Sequence, residues 1–275
     1  MASEALPTLQ HSNTPLVLFS DYHMHPQGHR VLRYSQELLQ PWADSARKSG
    51  LTDIAFTDHD RYHAGVDFGE IDRLREKNPD LRIRAGIELD NDPVHSAAGR
   101  DWVEKRWDKL DFVLGSVHFL NRADQMFDTV PNGAAQFEDC DVDEMYADYF
   151  RRVREIAASG LIDCLAHLDL IKIHGHLPRS DIGNLVNETL DLIRARGLAI
   201  ELSTAGWRKP VNEAYPGDRI VELAVEKRIL FTTASDAHSH VQLGESFSRL
   251  AQRMTNFGIR QVCIFEKHRC KPLQL

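Results

Sequence analysis

The chain has 275 residues and a formal net charge of −8. Its 42% hydrophobic and 27% charged residues are ordinary for a globular protein, which excludes a disordered chain, a collagen and a membrane protein. The acidic balance speaks against a nucleic-acid partner, which requires clustered Lys and Arg, but not against a small anion held at a local positive site.

Residues 1–15 are polar and lack the apolar core of a secretory signal, so they read as a flexible N-terminus to a single domain spanning 1–275. Short apolar runs then recur at 16–21, 53–57, 81–88, 112–116, 162–166, 198–202 and 229–235, with an eighth at 261–265. They are rich in Val, Ile, Leu and Phe and do not alternate, as expected of strands buried on both faces in a parallel sheet. Between them lie helical patterns at 44–49, 142–159, 181–196, 218–227 and 245–256. The first three close on Gly50, Gly160 and Gly197, where a helix end favours a left-handed residue. Seven or eight strand–helix units favour a closed barrel over an open sheet. No glycine-rich phosphate fingerprint follows the first strand, which disfavours a nucleotide-binding fold. The longest irregular segment, 118–141, is expected to cover one mouth of the barrel. Cys140, Cys164, Cys263 and Cys270 form no C-x-x-C pair and read as reduced thiols of a cytoplasmic protein.

Histidine is the unusual count, at fourteen. His23 and His25 follow the first strand, His59 the second, His118 the fourth and His167 the fifth; Glu88 ends the third, and Asp236 and His238 follow the seventh. In a parallel barrel these ends meet at one face, where active sites sit. Any one of these histidines alone reads as well as a hydrogen-bonded structural residue. Six strand ends together read as a metal site. The set is rich in imidazole, has two carboxylates and no thiolate, and suits zinc, iron or manganese. Eight ligands are too many for one ion, so two or three ions sharing the Glu88 carboxylate are expected. His11, His95 and His268 read as surface residues, and His63, His174, His176 and His240 as loop residues near the mouth.

The series D-x-H-x-H (21–25), T-D-H (57–59), G-I-E (86–88), G-S-V-H (115–118), A-H-L-D (166–169), S-T-A-G (203–206) and S-D-A-H (235–238) resembles the PHP (polymerase and histidinol phosphatase) superfamily. The resemblance runs from about residue 17 to 265 and is greatest to the monofunctional histidinol-phosphate phosphatases, through 116–118, 167–170, 203–210 and 213–216. It implies a distorted (β/α)7 barrel, TIM-like, and two or three divalent ions (Zn, Fe or Mn). It implies hydrolysis of L-histidinol phosphate to L-histidinol and phosphate, a step of histidine synthesis. Carried over, His23, His25, Glu88 and Asp236 are expected at the first metal, and Glu88, His118 and His167 at the second. His59 and His238 are expected at the third, with His29, which follows His23 by less than the family's usual spacing. The resemblance implies a metal-bridging water, held by Glu88, His118, His167 and Asp236, as the attacking oxygen.

Asp21, Asp58, Asp60 and Asp169 lie beside these ligands, and each reads either as an acceptor fixing an imidazole tautomer or as a cap or loop residue. Arg208, after the sixth strand, is the candidate for gripping phosphate through paired N–H donors, against a surface ion pair; Lys209 reads as solvated. The substrate amine calls for a carboxylate and its imidazole for a polar or aromatic wall, with Trp207, His174, His176 and segment 118–141 as candidates. The expected partner is thus a small phosphorylated substrate, with no nucleic acid and no membrane; oligomeric state is not legible. The alternatives are a phosphoesterase for another phosphomonoester or a nucleotide, and a non-catalytic metal-binding module.

Overall fold

The structure, a computed structural model, describes residues 17–120 and 125–275. His11, the leading residue of run 16–21, the N-terminus 1–15 and residues 121–124 of the long segment lie outside the described residues. Seven parallel strands form one sheet in chain order: β1 (Ser20–Asp21), β2 (Asp53–Phe56), β3 (Arg82–Leu89), β4 (Phe112–Gly115), β5 (Cys164–Leu165), β6 (Ala199–Ser203) and β7 (Leu230–Ala234). The register runs evenly, with Ile54 opposite Ile83, Ile87 opposite Val113, and Ile200 opposite Phe231. The first and last strands meet through Tyr22 N donating to Thr233 O at 3.0 Å and His25 N donating to Ala237 O at 2.8 Å. The sheet is therefore a nearly closed (β/α)7 barrel, as the sequence led us to expect.

Helices cover the outside: α1 (Gln36–Lys48), α2 (Phe68–Lys77), α3 (Ser96–Arg106), α4 (Val142–Ala158), α5 (Gly183–Arg196), α6 (Asp218–Glu226) and α7 (Phe247–Asn256). Most of them lay an apolar stripe on the strands; in α4 it is Tyr146, Tyr149, Phe150, Val153, Ile156 and Ala157. Gly50, Gly160 and Gly197 take φ of 72°, 77° and 69°, the left-handed conformation expected after these helices. α1 starts at Gln36, eight residues before the pattern read from sequence, with Ser35 capping Leu38 N and Pro41 inside the helix. α2 and α3 were not foreseen. Among the described residues, no helix is long and apolar enough to cross a membrane.

The eighth apolar run is a strand but not a barrel strand. β8 (Gln261–Glu266) pairs antiparallel with β9 (Arg269–Gln274) in a separate hairpin. Phe265 enters the barrel floor, its ring centroid 4.7 Å from Phe112 and 6.1 Å from Tyr22. The Tyr22 hydroxyl donates to Asp53 Oδ1 at 2.9 Å and accepts from Phe265 N at 2.9 Å. Two of the four cysteines depart from the thiol reading. Cys263 and Cys270 are disulfide-bonded, because the hairpin brings their Cα atoms to 5.4 Å; Cys140 and Cys164 are free.

Candidate metal centre

The C-terminal strand ends meet at one mouth of the barrel. A cavity of about 740 Å³ opens there, its walls including His29, His59, Glu88, His118, His167 and His238. Glu88 is fully buried at its base. Its Oε2 faces His59 Nδ1 at 2.8 Å, His23 Nε2 at 3.4 Å and His25 Nε2 at 3.6 Å. Its Oε1 faces His167 Nε2 at 3.3 Å and His118 Nε2 at 3.8 Å. Asp236 Oδ1 reaches His25 Nε2 at 3.2 Å and His23 Nε2 at 3.7 Å. Five histidines, His23, His25, His59, His118 and His167, therefore converge on one glutamate from four strand ends, with Asp236 alongside.

Backbone conformation helps to aim them. Asp236 and His167 hold positive φ, 50° and 22°, although neither is glycine. Such strain persists only where surrounding structure enforces it, and it collects at functional sites. Ligand atoms fall into groups within 4.8 Å: His23, His25 and Asp236; His23, Glu88 and His167; His25, His59 and His238; and His59, Asp90 and His118. Asp90 was not foreseen. It stands two residues after Glu88, on the same face of the extended chain, and its Oδ2 lies 3.0 Å from His118 Nδ1. His29 stands beside the third group, its ring centroid 4.6 Å from His238, but belongs to none of them.

The chemistry of this set fits divalent metals. His23 Nε2, both ring nitrogens of His25, His59 Nδ1, His167 Nδ1 and both Glu88 oxygens are buried without hydrogen-bond partners. So many orphaned acceptors would be costly in a site built for nothing else. Burial and the neighbouring His238 and His59 hold His25 well below the usual histidine range. Burial likewise brings His238 down to about 4 despite Asp236. Both rings are then neutral at pH 7, the form that donates a lone pair to metal. Burial alone would raise Glu88 and Asp236, but the clustered imidazoles, His59 and His23 foremost for Glu88 and His23 for Asp236, hold both well below the carboxylate range.

Acceptors that fix the imidazoles are not the four aspartates singled out from sequence. Asp21 accepts from the Ser235 hydroxyl and from Ser235 N and Gly244 N; Asp58 accepts from Tyr34 Oη and Gln27 N. Burial pushes them up to about 6 and about 7. Asp169 pairs with Lys172 at 2.8 Å, and both Asp60 oxygens are buried without partners. Asp21, Asp58 and Asp169 instead tie loops together. Glu201, in the middle of β6, instead lies 2.7 Å from His23 Nδ1. A lone carboxylate inside an apolar strand run was the signal for it.

Arg208 lines the cavity as expected. Its Nη2 donates to Ser235 O at 2.7 Å and Asp236 O at 3.1 Å, its Nη1 lies 3.5 Å from Glu245 Oε2, and Nη1 has no hydrogen bond. Lys209 also lines the cavity, correcting its reading as solvated. So does the fully buried Tyr215, whose hydroxyl is unpartnered. Gly206 makes this possible: a Cβ there would meet Glu213 O at 2.0 Å. Segment 118–141 supplies Met126, Asp128, Thr129 and Val130 to the wall. Trp207, His174 and His176 do not line it. Trp207 stacks under Arg249 at 4.1 Å, His174 binds Phe127 O, and His176 stacks on Phe137. His63 and His240 also lie off the cavity, on Asp60 O and the Ser45 hydroxyl. His95 is exposed as expected, whereas His268 is not a free surface residue: it stacks on Trp107 at 3.6 Å and bonds Asp163.

A parallel β/α barrel with imidazoles and carboxylates gathered at its C-terminal mouth defines a barrel of the kind that binds several metal ions. The PHP domain model matches residues 21–205, and the chain belongs to that family. It is 34% identical over 251 residues to a "Probable histidinol-phosphatase" of Deinococcus radiodurans, covering 84% of this chain and 91% of the relative. It is 24% identical over 257 residues to the histidinol-phosphatase of Bacillus subtilis, covering 80% and 94%. Among solved structures, it superposes on a histidinol phosphate phosphatase from Lactococcus lactis complexed with zinc, L-histidinol and phosphate. The TM-score is 0.72, at 19% identity and 92% and 98% coverage.

Proposed function

We propose that this chain is a metal-dependent phosphomonoesterase that converts L-histidinol phosphate to L-histidinol and phosphate. The observation that carries the reading is Glu88, a single buried carboxylate with an imidazole group on each oxygen at the base of a polar cavity. The relatives' names agree with it, as do the zinc, L-histidinol and phosphate held by the Lactococcus lactis enzyme.

Hydrolysis forms one P–O bond to water and breaks the ester P–O bond, with the proton passing to the leaving alkoxide. Two or three divalent ions (Zn, Fe or Mn), when bound, lower the pKa of water towards neutral and offset phosphoryl charge. In this reading His23, His25, Glu88 and Asp236 hold the first ion and Glu88, His118 and His167 the second. His59 and His238 would hold the third, with His29, whose ring stands beside that of His238, as its proposed further ligand. Arg208, anchored on the Ser235 and Asp236 carbonyls, presents its remaining N–H donors to the phosphate. The Tyr215 hydroxyl is a second donor, held rigid by burial. The leaving group extends towards segment 118–141. The net charge of −8 supports a small-molecule substrate over nucleic acid. We take residues 1–275 as one catalytic unit acting in the cytoplasm, where charged phosphate esters are retained.

The test is a substrate panel with purified protein reconstituted with defined zinc, iron or manganese. A preference for L-histidinol phosphate over aryl, nucleotide and sugar phosphates is expected. Cleavage of a generic aryl phosphate without that preference would assign another phosphomonoester. Absence of stoichiometric metal together with absence of phosphatase activity would overturn the reading.

A further inference from the structure

Outside the ligand set, the charged wall of the cavity is sparse. Arg208 and Lys209 are its cations, after β6, and among the described residues Asp128 is its one remaining carboxylate. Asp128 follows Phe127, which is fully buried against Tyr149 and Phe137. Phe127 is also pinned through its backbone: its N donates to His118 O at 2.9 Å and its O lies 2.8 Å from His174 Nε2. Asp128 is therefore carried on a rigid neighbour rather than a free loop.

Its charge acts on the imidazoles of His29 and His118, but no ion pair ties it to the wall among the described residues. Oδ1 is buried with no hydrogen-bond partner, and no described Lys or Arg pairs with it. Asp128 stands outside every group of ligand atoms gathered within 4.8 Å. Asp128 is half-buried, and its Oδ1, withdrawn from water and unpartnered, costs free energy unless a bound cation meets it. Histidinol phosphate brings one, because its carbon chain carries a primary ammonium beside the phosphate ester. The cavity wall offers matching polarity, with guanidinium and ammonium groups after β6 and a carboxylate on the segment after β4.

We infer that Asp128 is the subsite for the substrate's primary ammonium, and that it sets preference for an aminoalkyl phosphomonoester over the same ester without the amine. This rests on the histidinol phosphate reading for the identity of the amine. The geometry itself asks only for a cation attached to a phosphate ester.

The experiment compares wild type with Asp128→Asn on two matched pairs, each with and without the amine: L-histidinol phosphate against its deaminated analogue, and phosphoethanolamine against ethyl phosphate. In Asp128→Asn, kcat/KM for the amine-bearing member should fall about 10- to 100-fold, the size of one charge-assisted hydrogen bond. For the amine-free member it should change less than about 3-fold. Calorimetric affinity for L-histidinol should fall in parallel, with metal content unchanged. Equal losses on both members, no loss on either, or a fall in bound metal would overturn the inference, as would a wild type indifferent to the amine. If wild type ignores histidinol phosphate yet prefers phosphoethanolamine to ethyl phosphate, and the variant erases that preference, the subsite stands and the substrate reading falls.

Discussion

Glu201 holds two residues of the candidate metal centre at once: its Oε2 lies 2.7 Å from His23 Nδ1, and its Oε1 accepts from the backbone N of His167 at 3.0 Å. One carboxylate thus fixes the ring of a histidine from the first strand end and the chain at a histidine from the fifth. In Glu201→Gln, an amide cannot accept at both ends, so one of these contacts becomes a clash of donors. Metal affinity, read by chelator competition, is expected to fall about 10- to 100-fold. An unchanged affinity would reduce Glu201 to a packing residue.

His118 and His167 share the Oε1 side of Glu88. His118→Ala removes one of these imidazoles. Loss of about one equivalent of metal by elemental analysis and loss of turnover by at least about 10³-fold are expected. Near-normal kcat would place the reacting centre elsewhere.

Arg208→Ala should chiefly lower kcat/KM, by about 10²-fold, and weaken inhibition by inorganic phosphate. Arg208→Lys should recover little, because one ammonium cannot both span the Ser235 and Asp236 carbonyls and meet an anion. Unchanged phosphate inhibition in Arg208→Ala would return the residue to a purely structural role.

Phe265 is 3% exposed and fills the barrel floor between Tyr22 and Phe112. Phe265→Ala should cost about 3–5 kcal/mol in urea unfolding. A loss under about 1 kcal/mol would mean that the floor collapses around the gap.

His268 gives a pH signature. Burial disfavours its charged form, but the Asp163 carboxylate and the Trp107 carbonyl outweigh burial and raise its pKa above the ordinary value. The charged ring is thus favoured by folding. Its contribution is fully present below the unfolded value of about 6.5 and is lost as pH rises through the raised folded value. His268→Gln should therefore destabilise more at pH ~5.5 than at pH ~9. The stacking on Trp107 is lost at both pH values and cancels in the comparison. An equal effect at both would show that Asp163 does not favour the charged ring.

The barrel and the cluster at its mouth were legible because both follow from one rule: apolar runs buried on two faces, each ending in an imidazole or a carboxylate. The place of His23, His59, Glu88, His167 and Asp236 in that alternation was enough to predict that they would meet at one mouth. Asp90 and Glu201 were hidden because a carboxylate near a strand end or inside one gives no sign of which side chain it faces. The start of α1 was obscured by Pro41, an uncommon residue in a helix interior. α3 buries only Gly99, Trp102 and Val103, too few for a helical period. β9 is mostly exposed, contains Pro272 and pairs only with β8, so its sequence lacks the apolar run that marked the barrel strands.

Joining β1 to β7 brings Ser20 and Thr233 together across a separation of 213 residues, and the candidate ligands His25 and Asp236 flank the same join. Closing so long a loop is entropically expensive, and only a few backbone bonds hold it. Ions shared by His25 and Asp236 would rivet this seam from within. Stripping them should let the amide hydrogens of Tyr22 and His25 exchange with solvent well before those of β3 and β4, so that metal loss is felt first as an unzipping of the barrel wall.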